Sequence, residues 1–116
     1  MAEETLVKKK YTTMTIITRR EKINVLHETL IELGIPGMTT TMVEGNGQQL
    51  GEISYMQDGL QKAKLIPKVM VEVNYEDMDT EKIIETICNR LRTNIMGDGK
   101  IFITENEGYV VRVSDY

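Results

Sequence analysis

One cysteine and one histidine stand among the 116 residues, and their scarcity removes whole classes of chemistry. Cys88 alone forms no intramolecular disulfide, and it reads as a small core residue. His27 has no Cys or His at ligand spacing, so no metal site independent of another ligand is expected. No Ser/His/Asp or Cys/His constellation can be argued around one residue of each type, and nothing else points to an enzyme. Positive charge is short as well: 14 Lys and Arg against 18 Asp and Glu leave a net charge of −4. The pI near 5.0 gives no overall basic field, so nucleic acid is not an expected partner, although a local basic pocket stays open. No apolar run approaches the ~20 residues that cross a bilayer. The first residues, "MAEETLVKKK", are charged and lack an apolar core. No signal peptide is therefore expected, and the cytoplasm is the expected compartment.

What is present suits one globular domain, with 41% hydrophobic and 28% charged residues. Residues 1–10 read as a polar N-terminal tail and 11–116 as a single domain. "YTTMTIIT" from Tyr11 is rich in β-branched residues and reads as a strand. "EKINVLHETLIELG" spaces Ile23, Leu26, Leu30 and Leu33 for a helix that Gly34 and Pro36 stop. "GMTTTMVEG" is β-prone, and the next twenty or so residues, "GNGQQLGEISYMQDGLQKAK", have little usable period. A loop of that length in a compact domain is usually functional or disordered.

"PKVMVEVNY" alternates, with Val69, Val71 and Val73 on one face of a strand. Asp79 or Thr80 can cap a second helix in which Ile84, Ile87, Cys88 and Leu91 share a face. "KIFIT" and "GYVVRV" then read as two short strands around a turn "ENEG". The expected architecture is an α+β ferredoxin-like sandwich (βαββαβ), with a long loop between its second and third strands and a short extra C-terminal strand. Met14 or Ile17, Met70 and Phe102 would leave an apolar patch on the uncovered sheet face, a sign of oligomerisation.

Two glycine motifs are candidates for ligand contact. "GDGK", 97–100, joins a helix to a strand; its glycines let backbone amides approach an anion and Lys100 adds a compact positive charge. It is not a Walker A loop, because Asn94 and Ile101 stand where that motif needs Gly and Ser or Thr. Alone, "GDG" reads first as a tight turn. "GNGQQLG", 45–51, fails the dinucleotide fingerprint at Leu50 and follows no βα unit, so by itself it reads as the start of a loop.

Taken together and in order, "GIPGMTTTMVEGNGQQLG", "LIPKVMVEV" and "NIMGDGKIFI" resemble the PII signal-transduction family over roughly residues 11–113. The resemblance implies a regulatory, non-enzymatic homotrimer of ferredoxin-like subunits, with ATP or ADP held between neighbours. A protruding T-loop, about 47–66 here, would dock onto a target such as a membrane transporter and so bring the protein to the membrane. Carried over by position, Thr39 and the backbone at Ile17 lie near the adenine, and Gly45 and Gly47 line the cleft. Gly97, Asp98, Gly99 and Lys100 form the phosphate loop. Gln49 matches the glutamine that helps coordinate Mg²⁺ when 2-oxoglutarate is bound, and Lys68 matches the lysine that pairs with that acid. Arg112 matches a phosphate-binding arginine once a residue is inserted near "ENEG".

Departures from the family pattern are equally specific. Gln48 stands where an arginine is common, and Ser114 where a second C-terminal arginine would fall. Each missing charge-assisted contact is worth about 1.5–3 kcal/mol, which puts selectivity for triphosphates in question. The loop tyrosine that some members have uridylylated falls on Gln61, while Tyr55 lies six residues earlier, so control by that modification is not expected. A divergent, PII-like regulator is the leading expectation. The alternative is a structural trimeric interaction module that has lost nucleotide binding through Gln48 and Ser114.

Overall fold

The computed structural model describes residues 6–45, 53–55, 61–63, 65–94 and 98–113, with 53–55 and 61–63 described by backbone alone. Strand β1 spans Lys9–Arg19 and passes through a single 3-10 turn, Arg20–Lys22, into helix α1, Ile23–Glu32. Strand β2 is Thr39–Gly45, and β5 is Ile66–Tyr75; between them Ile53–Tyr55 (β3) and Gln61–Ala63 (β4) pair as a small antiparallel ladder. Helix α2 spans Thr80–Leu91 and β6 spans Gly99–Gly108. The main sheet runs in the order β2-β5-β1-β6, with every neighbouring pair antiparallel. This is the expected ferredoxin-like βαββαβ arrangement.

Alternation sorts the central strands. Met14, Ile16 and Thr18 of β1 and Val69, Val71, Val73 and Tyr75 of β5 are buried. They form one core with Leu26 and Leu30 of α1 and with Ile83, Ile87 and Leu91 of α2. Helix α1 ends because Gly34 takes φ +85, which a Cβ resists, and this turns the chain back. The Gly34 N–H then donates to Ile31 O at 3.0 Å and the Ile35 N–H to Leu30 O at 2.8 Å, a Schellman closure that buries Ile35. Asp79 is the cap of α2, its Oδ1 accepting from Lys82 N at 3.2 Å, and the Tyr75 hydroxyl meets Thr80 Oγ1 at 2.6 Å.

Several expectations are corrected. "KIFIT" and "GYVVRV" are not two strands around a turn: β6 runs unbroken through "ENEG", because Glu105–Gly108 pair with Thr12–Lys9 of a long β1. Main-chain bonding to a partner strand carries the polar residues, and Tyr109–Val113 are not in a strand. The same pairing brings Lys9 and Lys10 out of the supposed tail and into β1. In α2 the buried positions are Ile83, Ile87 and Leu91, with Ile84 and Cys88 half-buried at the flank. On the uncovered face it is Ile17, not Met14, that joins Met70 and Phe102; Met14 is fully buried beneath the helices and Phe102 is 53% exposed. Most of 47–66 lies outside the described residues, apart from β3, β4, Leu65 and Ile66.

Candidate functional site

After Leu91 the chain leaves α2 through Arg92 in an extended conformation, and Asn94 takes φ +62. Asp98 organises the corner between α2 and β6. Its carboxylate accepts from the Thr93 backbone N–H at 2.8 Å and from the Thr93 hydroxyl, and its carbonyl oxygen accepts from the buried Thr18 hydroxyl at 2.8 Å. Arg19 Nε lies 3.8 Å from Asp98 Oδ1. The Thr93 hydroxyl and backbone N–H hold the Asp98 carboxyl below its ordinary range, burial opposes them, and Arg19 and the Asn94 backbone add to them. Asp98 is therefore an inward-bound carboxylate with a structural task.

Gly99 is fixed by close approach to β1. It takes φ +129, and a Cβ there would sit 1.9 Å from Ile17 O. With a side chain absent, β6 enters its ladder with Gly99 opposite Thr18 and Lys100 opposite Ile17. Lys100 is exposed on the uncovered sheet face, carried on a corner fixed at Thr93, Thr18 and β1. A hollow of about 150 Å³ adjoins the corner between α2 and β1/β6, lined by Ile17, Asp98, Gly99 and Lys100 together with Ile87 and Leu91 among others.

The sequence-predicted residues fall into two groups. Asp98, Gly99, Lys100 and Ile17 meet at the β1/β6 corner. Thr39 and Gly45 lie on β2, at the opposite edge of the same sheet, three strand spacings or about 14 Å away. Along one register row Thr41, Met70, Ile17 and Lys100 face one another in turn. Lys68 is 7% exposed and lies opposite Val43 and Arg19. Gly45 has room for a side chain, since a Cβ would meet Lys68 Cγ at an ordinary 3.5 Å. Arg112 is exposed beyond the end of β6. Gly47, Gln49 and Gly97, with Gln48 and Ser114, lie outside the described residues.

Sequence reasoning missed Thr18, Thr93, Arg19 and Arg20. The first three hold Asp98, and Arg20 bonds Lys68 O and Val43 O at 3.0 Å each. Only the adjacency of two arginines at a strand end could have drawn attention to them. Among the described residues no group of three or more His, Cys, Asp or Glu is placed to hold a metal ion, and no helix is long and apolar enough to cross a membrane.

The family model described as Nitrogen regulatory protein P-II matches residues 11–114. The chain belongs to the PII family. Nitrogen regulatory protein P-II 1 of Methanothermobacter thermautotrophicus is 39% identical over 92 residues, covering 79% of this chain and 80% of that protein. GlnK of Escherichia coli is 32% identical over 92 residues, covering 79% and 82%. Among solved structures, Arabidopsis thaliana PII bound to citrate is 29% identical at a TM-score of 0.63, covering 82% of this chain and 76% of that one. A B. subtilis GlnK–ATP complex shares the fold at a TM-score of 0.66 and 21% identity, covering 85% and 93%. PII proteins are non-enzymatic signal transducers.

Proposed function

We propose that this PII protein senses ATP or ADP bound between the subunits of a homotrimer, and signals through residues 47–66 to a target protein such as a membrane transporter. The observation that carries the reading is the presentation of Lys100: an exposed ammonium beside a carboxylate, Asp98, that is held by Thr93 and faced by Arg19. A phosphate approaching Lys100 thus meets a cation without Asp98 competing for it. Placement of Thr39 and Gly45 on the far sheet edge supports a cleft between subunits, since groups on opposite edges converge most simply when two copies meet. In this reading Ile17, Thr39, Gly45 and Gly47 receive the nucleoside, and Gly97, Gly99, Lys100 and Arg112 receive the phosphates. Gln49 and Lys68 are the proposed contacts for 2-oxoglutarate. Mg²⁺ would enter with Gln49 and supply charge neutralisation between phosphates and acid.

Calorimetric titration with ATP, ADP and AMP tests the reading. Lys100→Ala is expected to weaken ATP by about tenfold or more, as loss of a charge-assisted contact implies, with the fold retained. Gln48→Arg is expected to strengthen ATP more than AMP. Equal affinity of parent and Lys100→Ala for every nucleotide would sink the phosphate assignment, and no binding by the parent would leave the structural trimeric module.

A further inference from the structure

Arg19 closes β1 and Arg20 opens the turn into α1, and their side chains reach towards opposite edges of the sheet. Arg19 Nε lies 3.8 Å from Asp98 Oδ1 at the β6 corner. Arg20 donates from Nε to Lys68 O and from Nη2 to Val43 O, each at 3.0 Å. Val43 and Lys68 are direct partners in the β2–β5 ladder, two rungs inside its last pair, Gly45 and Ile66. Both donors come from one edge of a planar guanidinium, so the two bonds form together only when β2 and β5 hold this register.

We propose that Arg19 and Arg20 form a strut between the Asp98–Lys100 corner and the root of the segment that leaves β2 and returns into β5, with Arg20 as the positioning residue at that root. The Arg19–Asp98 contact is long for an ion pair, and both side chains are about a quarter exposed (26% and 24%), so the pair has room to change. An anion at Lys100 competes with Asp98 for the Arg19 guanidinium. Movement of Arg19 shifts the adjoining backbone of Arg20, whose fork transmits it to Val43 and Lys68. Because Arg20 holds the carbonyl of Lys68, it also sets where the Lys68 side chain begins. The ligand-dependent half of this inference rests on the nucleotide reading above; the clamp itself does not.

The test is amide hydrogen exchange on the full chain as parent, Arg20→Met, Arg20→Lys and Asp98→Asn, with and without ATP, beside ATP affinity by calorimetry. Arg20→Met is expected to speed exchange about tenfold at 43–45, 66 and 68, leave the β1 and β5 centres unchanged and keep ATP affinity within about twofold. Arg20→Lys, a charge without a fork, is expected to behave like Arg20→Met. Asp98→Asn, which loosens Arg19 without any ligand, is expected to alter exchange at the same root residues. ATP is expected to shift root exchange in the parent and not in the Arg20 variants.

Parent-like protection in Arg20→Met or Arg20→Lys overturns the clamp, as does faster exchange spread evenly over the sheet. An unaltered root in Asp98→Asn, or ATP binding that leaves the parent's root unchanged, overturns the strut. If the parent binds no ATP, the nucleotide reading falls by itself and the ligand-free comparisons still decide this one.

Discussion

Gly99 and Asp98 show how much of the corner rests on two adjacent residues. A methyl at Gly99 would sit 1.9 Å from Ile17 O, and the residue already holds φ +129. Backbone strain of this kind costs about 1–3 kcal/mol, and the clash is with main chain rather than a yielding side chain. Gly99→Ala is therefore expected to lose more than about 2 kcal/mol in urea unfolding, whereas Gly45→Ala, with ordinary contact distances, should stay far closer to the parent. Asp98 carries a pH signature. Its folded pKa is depressed, so its contribution to stability is present above the unfolded value of about 3.9 and is lost as pH falls through the folded value. Thermal unfolding below pH ~4 should show the parent losing stability relative to Asp98→Asn, and parallel curves for the two would refute the assignment.

At the scale of elements, α2 separates pattern from packing. Four apolar positions, Ile83, Ile84, Ile87 and Leu91, compete for a face that helical spacing does not resolve. The helix settles with Ile83 2% exposed and Ile87 fully buried, while Ile84 lies at the edge of the core. Ile83→Ala should cost about 2–5 kcal/mol and Ile84→Ala clearly less, and denaturant midpoints in the reverse order would contradict the observed rotation of the helix. Helix packing is reinforced outside the core by Arg90, whose Nη1 lies 2.6 Å from Glu32 Oε2 of α1. Both side chains are substantially exposed (42% and 57%), so this link adds little. Polar side chains also tie the uncovered face together: Thr13 Oγ1 donates to Asn74 Oδ1 at 2.5 Å, and Asn106 Nδ2 donates to Thr13 Oγ1 at 2.8 Å, joining three strands.

For the whole molecule, the decisive asymmetry is that both helices cover one side of the sheet. The other side presents Ile17, Met70 and a Phe102 ring that is 53% exposed, in a mixed surface with Lys100 and Thr41. Water-exposed apolar area of this kind is relieved by association, and a closed ring of identical subunits would also bring the two sheet edges together. Sedimentation equilibrium is expected to give three times the chain mass of 13.3 kDa, and Phe102→Glu to shift the population toward smaller species. A parent that remains at 13.3 kDa at micromolar concentration would refute the trimer.

Local chemistry alone determined the order of the main elements: β-branched residues at Thr12–Thr18, the Val69, Val71, Val73 alternation, the Asp79 cap and the Gly34 stop all act within a few residues of themselves. Part of the candidate corner was equally legible, because glycines beside a lysine constrain backbone and charge locally. Tertiary structure decided the rest. Glu105–Gly108 became strand because a distant β1 offered partners, and Ile17 rather than Met14 faced outward because the helices lie on Met14's side. Thr18, Thr93 and Arg19 became supports for Asp98, and Arg20 a bridge from β2 to β5, through contacts spanning 5 to 80 residues. Periodicity carries no information about which chain atoms such side chains will meet, and only the sheet's register brings them together.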